Sequence, residues 1–225
     1  MGKPVIIYGK SGSGKTRSLK FFKKDEIAFI NCESKDLSFD DVEFDMTMNL
    51  NRYGYTPLVI NALNKIPENV KIIVIDDAGY LMTHYFMANH RKMKGNAQFE
   101  MYNQIADETY ELINTIKALP KDKIVYLMYQ IEESDATGDI RPLTIGKLLD
   151  QKCNLVGMVT VCLLCMSADG KHFFRTVTDG NDVTKAPEKM FEADEIPNDL
   201  KAVDTAIRKY YKMDPLDGGD ADAKA

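Results

Sequence analysis

The sequence predicts an α/β fold, with a mostly parallel sheet, helices on both of its faces and an antiparallel hairpin towards the C-terminus. Three observations point there. Short, β-branched apolar runs alternate with segments of helical spacing, the pattern of parallel βαβ units. A glycine-rich turn directly follows the first of those runs and precedes a helical segment. A long apolar run late in the chain turns through Ala168-Asp169-Gly170 into a second run, as a hairpin does.

The elements follow in order. Pro4–Tyr8 reads as a short buried strand, and Lys15–Phe22 as the helix after the glycine-rich turn. Ile27–Cys32 is the second apolar run. Thr56 is suited to cap a helix with Pro57 at its first position, and Leu58, Ala62, Leu63 and Ile66 then share one face. Val70–Ile75 is almost purely β-branched, which suits burial on both faces. Tyr102, Ile105, Leu112, Ile116 and Leu119 fall at helical spacing within a helix over Gln98–Leu119, which Pro120 ends. Ile124–Tyr129 and the longer Leu155–Met166 read as the fourth and fifth strands, and His172–Thr178 as the hairpin partner. Beyond Pro197, Leu200, Val203, Ile207, Tyr210 and Tyr211 mark one amphipathic helix. From about Asp214 the chain has too little apolar content to fold, and disorder is expected there. The organisation predicted is one domain over 1–195, a C-terminal helix over 196–213 and an acidic tail over 214–225, without internal repeats.

Composition narrows the class. With 225 residues, 44% hydrophobic and 28% charged, the chain has the ordinary mix of a soluble domain and is neither collagen-like nor wholly disordered. No apolar run approaches the ~18 residues of a membrane span. The N-terminal apolar run breaks at Gly9 and makes a poor signal peptide, so a cytoplasmic protein is expected. Cys162 and Cys165 form a C-x-x-C, but a strand would point them to opposite faces. With Cys32 and Cys153 isolated, the four cysteines read as core thiols. A net charge of −5 means that any contact with nucleic acid must come from local basic loops.

The strongest motif is Gly9-Lys10-Ser11-Gly12-Ser13-Gly14-Lys15-Thr16, which matches G-x-x-x-x-G-K-[ST] between a strand and a helix. Glycines there let backbone N–H groups curl towards phosphate oxygens. Lys15 brings a charge to the β- and γ-phosphates and the Thr16 hydroxyl can ligand Mg²⁺, with Arg17 next in line in the nucleotide-binding set. Ile72–Asp77 supplies the matching strand, with Asp76 as the second magnesium-binding side chain. ATP and Mg²⁺ are the cofactors this pair of motifs implies. Hydrolysis also needs a group that activates water, and both Glu33, after the second strand, and Asp77 meet the requirement of position. Spacing alone does not choose between them. Gln130, after the fourth strand, can sense the γ-phosphate and pass its state to the long polar loop 131–144. His90, Arg91, Lys92 and Lys94 form the one compact basic patch, with Tyr85, Phe86 and Phe99 close by, a combination that suits single-stranded nucleic acid.

This order of motifs, from the P-loop through Glu33 and the Asp76 strand to Gln130 and a loop, resembles the RecA-type ATPase core over roughly residues 3–191. It is most similar to short, phage-encoded RecA-like ATPases, including the Sak-four type of single-strand annealing recombinase. The resemblance implies that Glu33 activates water and Gln130 is the sensor. It implies two DNA-facing loops, 87–97 and 131–146, the second bringing Arg141. It further implies that Arg175 and Lys185 act on a neighbouring subunit's nucleotide, Lys185 being preferred, which requires a ring or filament of this chain. Single-stranded DNA, further copies of the chain and a single-stranded-DNA-binding protein are the partners implied, and no membrane. The chain lacks RecA's large extra domains, its basic charge is sparse and the Asp76 strand continues with Asp77, which together favour annealing or a helper role over strand exchange. The competing class is a protein-remodelling or helicase-loader ATPase of phage replication, favoured by the acidic balance. A small-molecule kinase would need an arginine-rich lid, and arginines here are few.

Overall fold

Successive residues of a strand face opposite sides of its sheet, and in this chain both sides are apolar. A computed structural model describes residues 1–39, 43–51, 55–134, 137–146 and 148–216. Its strands are β1 (Lys3–Tyr8), β2 (Ile27–Asn31), β3 (Met46–Asn49), β4 (Ile72–Asp76), β5 (Ile124–Tyr129), β6 (Ile131–Glu133), β7 (Ile140–Pro142), β8 (Val161–Ala168), β9 (Lys171–Arg175) and β10 (Glu195–Pro197). The helices are α1 (Thr56–Leu63), α2 (Gly79–Asn89), α3 (Asn96–Ala118) and α4 (Leu200–Tyr211). Eight strands form one sheet in the order β10-β9-β8-β1-β5-β4-β2-β3, with β6 and β7 paired separately. From β8 to β3 every neighbouring pair is parallel, and only β8–β9 and β9–β10 are antiparallel.

Ile6, Ile30, Ile73 and Leu127 point to one face, where Val59 of α1, Leu81 of α2 and Ile113 of α3 cover them. Val5, Phe29, Val74 and Tyr126 point to the other, against Leu19, Phe22 and the Leu200, Val203 and Ile207 stripe of α4. The α/β class with helices on both faces and an antiparallel C-terminal pair is as predicted. So is the separation of the cysteines: Cys162 joins the first face and Cys165 the second. Cys153 is only half-buried, so it is not a core thiol like the other three.

Several elements differ from the sequence reading. The segment after the P-loop is a 3-10 turn over Thr16–Phe21 rather than a full helix. It stops because Phe22 is buried in extended conformation and Glu26 Oε2 accepts from Lys23 N at 2.8 Å, closing a turn that the Lys201–Glu26 ion pair braces. Tyr55, not Thr56, is the N-cap of α1, and Thr56 is its buried first residue. The run 155–166 is not one strand: Asn154, at φ 47°, accepts from Gly157 N and folds Leu155–Met158 into a 3-10 turn ahead of β8. Helix α2 and strand β3 were not expected, and the polar loop 131–144 carries the β6–β7 hairpin. A boundary at 195/196 would cut β10, and α4, started by Asp199 Oδ1 accepting from Ala202 N at 3.0 Å, is integral to the core. Residues 214–216 do not begin a disordered tail, since Leu216 packs against that core; the remainder of the tail, from 217, lies outside the described residues. Among the described residues no helix is long and apolar enough to cross a membrane.

Candidate nucleotide-binding site

Parallel order brings the C-terminal ends of β1, β4, β5 and β2 to one rim, the edge where open α/β sheets receive ligands. The P-loop rises from β1 and needs its glycines. A Cβ on Gly9 would stand 2.4 Å from Cys165 O, and one on Gly14, at φ 104°, would stand 2.8 Å from His172 Nδ1. Strand β9 backs the turn: His172 Nδ1 lies 2.8 Å from Ser13 O, and since a carbonyl only accepts, that nitrogen carries a proton.

Lys15, 6% exposed, donates from Nζ to Gly9 O at 2.9 Å and Lys10 O at 3.2 Å. Burial lowers its pKa, while Asp77, Cys165 and Asp76 pull the other way. Thr16 Oγ1 donates to Asp76 Oδ2 at 2.8 Å, so the two groups expected to share magnesium already touch. Burial, and then the charge of Asp77, push the Asp76 carboxyl up to about 6. Two adjacent carboxylates beside a hydroxyl are hard oxygen donors, and of the two Lys35 contacts only Asp77, so Asp76 is left with the Thr16 hydroxyl rather than a directly bonded cation. That environment fits Mg²⁺, which commonly takes one or two carboxylates plus substrate phosphates.

Asp77 sits at φ 53°, a left-handed conformation that Asp tolerates, and the turn is pinned by Ala78 N donating to Met128 O at 2.7 Å. Both its oxygens are engaged. Gln130 Nε2 donates to Oδ1 at 3.0 Å, and Lys35 Nζ to Oδ2 at 2.8 Å. These residues line a cleft of about 360 Å³ together with Ser11, Gly12, Gly14, Lys15, Thr16, Arg17 and His172.

Glu33 is not brought to this cleft. Its Oε1 lies 3.0 Å from His84 Nε2, which also contacts Cys32 O at 3.2 Å, so α2 holds the carboxylate expected to activate water. Arg175 is likewise committed, to Asp179 at 2.5 Å and Asp182 at 3.1 Å. Lys185 pairs its backbone with Cys162 and has no ion-pair partner among the described residues. Arg141 spans the β6–β7 hairpin to Glu132, and Lys10 reaches Glu133 of β6 at 3.8 Å. Arg91, Lys92 and Lys94 are exposed on the α2–α3 turn, while the His90 ring stacks on Phe86 at 5.0 Å. Lys35 and His172 were missed by sequence reasoning. Lys35 offered one faint sign, a cation four residues beyond the end of β2 on the ligand-binding rim; His172 offered none.

No curated protein matches the chain. Among solved structures, it is similar to the KaiC-like protein PH0186 of the hyperthermophilic archaeon Pyrococcus horikoshii OT3, at 11% identity over 77% of either chain and a TM-score of 0.42. A family model described as an AAA domain matches residues 1–181, which include the P-loop, Asp76, Asp77, Gln130 and His172 around the cleft, and the chain belongs to that AAA domain family.

Proposed function

We propose that this chain is a magnesium-dependent ATPase that acts on single-stranded DNA as an oligomer, in recombination of the phage single-strand annealing type. The observation that carries the ATPase half is the meeting of Lys15, Thr16, Asp76, Asp77 and Gln130 at one cleft. Lys15 and the P-loop N–H groups bind the phosphates, and Gln130 orients Asp77. Asp77 takes the proton of the attacking water as its oxygen bonds to the γ-phosphorus and the bond to the β–γ bridging oxygen breaks. Thr16 and Asp76 would hold magnesium, which would supply charge neutralisation to the bound phosphates. Asp77 is preferred to Glu33 because Asp77 lines the cleft beside the P-loop, whereas Glu33 lies outside that lining, against His84 of α2. Lys185, without an ion-pair partner among the described residues, acts on a neighbouring subunit's nucleotide, since Arg175 is held by Asp179 and Asp182.

The DNA half rests on the α2–α3 turn. Helix α3 buries no residue before Met101, so Arg91, Lys92 and Lys94 of the turn and Phe99 at the start of α3 are exposed close together in sequence. Charge there can track phosphates and Phe99 can stack on a base. ATP hydrolysis measured with and without single-stranded DNA tests both halves: stimulation is expected, and absence of both stimulation and low-salt binding removes the DNA reading. A specific observation favours a loader or remodelling role as the second reading. Met87 and Phe99, 57% and 71% exposed beside the same turn, also suit a protein surface. That role predicts turnover stimulated by a protein and indifferent to DNA.

A further inference from the structure

We propose that Lys35 is a cation delivered in cis to the γ-phosphate: it waits on Asp77 in the nucleotide-free chain and exchanges that carboxylate for a phosphate oxygen when ATP binds. The inference rests on the ATPase reading and deepens it.

The geometry of waiting is specific. Asn31, the last residue of β2 and buried, clasps the Lys35 backbone from both sides: its Nδ2 donates to Lys35 O at 2.7 Å, and its Oδ1 accepts from Lys35 N at 3.3 Å. The backbone is therefore anchored while the four-carbon stem remains free to swing. The side chain is 55% exposed, with Nζ 2.8 Å from Asp77 Oδ2 and 5.0 Å from the centre of the Tyr80 ring. The Asp77 contact lies on the cleft, where Lys35 shares the lining with Lys15 and Thr16. Asp77 and Tyr80 give the ammonium a favourable but solvent-screened resting place.

A terminal phosphate with more charge than one carboxylate competes well for that ammonium. Its departure uncovers Asp77 Oδ2 and leaves Gln130 holding Oδ1, so the carboxylate gains a free oxygen for water only when a γ-phosphate is present. ADP also ends in a charged phosphate, but at the β position within the P-loop, and it leaves the γ position empty, so with ADP bound Lys35 stays on Asp77. Lys35 would thus couple recognition of the third phosphate to exposure of the water-activating group, and then stabilise charge developing on the transferring phosphoryl group.

The test compares affinities of the full chain for ADP and for a non-hydrolysable ATP analogue, by displacement of a fluorescent nucleotide, alongside steady-state turnover. In Lys35→Gln, affinity for the analogue falls about tenfold, the worth of one charged hydrogen bond, while ADP affinity holds. Turnover falls further, and Lys35→Arg restores much of the analogue-to-ADP preference. An unchanged preference in Lys35→Gln, or equal losses for both nucleotides, overturns the proposal and makes Lys35 structural. Wild-type chain that binds the analogue but never hydrolyses ATP would instead sink the ATPase reading, while the affinity ratio still judges Lys35.

Discussion

Glu33 Oε1 and His84 Nε2 stand 3.0 Å apart, which ties the carboxylate after β2 to helix α2. Asp77, by contrast, lines the cleft with Gln130 on one oxygen and Lys35 on the other. Asp77→Asn should therefore lower turnover by about 10²–10⁴-fold, the usual worth of a positioned base. Asparagine also accepts the left-handed backbone at this position, so the turn survives the change. Glu33→Gln should keep most activity. Phosphate-release rates for the two variants decide the matter, and the reverse pattern returns the role to Glu33.

Lys15 bridges two P-loop carbonyls from a nearly buried position. Its ammonium sits within the phosphate-binding turn and lines the cleft, and Lys15→Ala should weaken nucleotide binding by at least about tenfold. Titration calorimetry with ADP and an ATP analogue reads this directly; unaltered affinity would mean that the P-loop is not the phosphate site.

Asp76 predicts a pH dependence with a definite sign. Burial and the neighbouring Asp77 charge raise its pKa to about 6, with the Thr16 hydrogen bond acting against the rise. A cation needs the ionised form, so magnesium affinity should be level above that pH and fall up to tenfold per unit below it. Magnesium titrations of nucleotide binding between pH 5 and 8 measure the profile. Asp76→Asn should weaken magnesium at every pH and flatten the curve.

Charge reversal on the α2–α3 turn separates DNA from nucleotide. Arg91, Lys92 and Lys94 are exposed, without ion-pair partners among the described residues. Changing all three to Glu should abolish measurable binding of single-stranded DNA and leave ADP affinity intact. Neutral substitution of the same three should make the log–log salt dependence shallower by about 2, at roughly 0.7 per phosphate contact. Fluorescence anisotropy over a salt series gives both numbers, and equal loss of DNA and nucleotide would mark the turn as structural.

Helix α4 predicts stability rather than chemistry. Ile207 is fully buried against the sheet face that also carries Leu19 of the P-loop segment. Ile207→Ala should destabilise the whole domain by about 2–5 kcal/mol. Urea unfolding followed by circular dichroism should show a single transition shifted to lower urea. A separate early transition would mean that α4 is an appendage after all.

Much of the fold was legible because its cause is local. β-branched runs, the Gly9–Thr16 turn and the Pro120 break each announce themselves in a few residues. Helix α2 did not, since its apolar side chains form no single stripe: Leu81 and Met82 enter the core while Met87 faces solvent. Strand β3 is a four-residue edge without the β-branched density of the centre. The break at Asn154 depends on one positive φ and one side-chain cap inside an otherwise apolar run. At the site, the P-loop and Asp76 were readable as motifs. The Lys35–Asp77 and His172–Ser13 contacts join residues 42 and 159 positions apart, and no local pattern encodes such pairs.

The register of the sheet binds ligand and fold together. Lys3 is matched with Ile124 and Val5 with Val161, so the rim exists only after pairings that span most of the chain have closed. An incomplete domain offers nothing for a triphosphate to hold. Ligand free energy therefore accrues to the finished state alone, about 2.7 kcal/mol when nucleotide stands a hundredfold above its dissociation constant. Resistance to proteases should rise and fall with the nucleotide pool, which makes the energy supply of the cell a governor of this domain's lifetime.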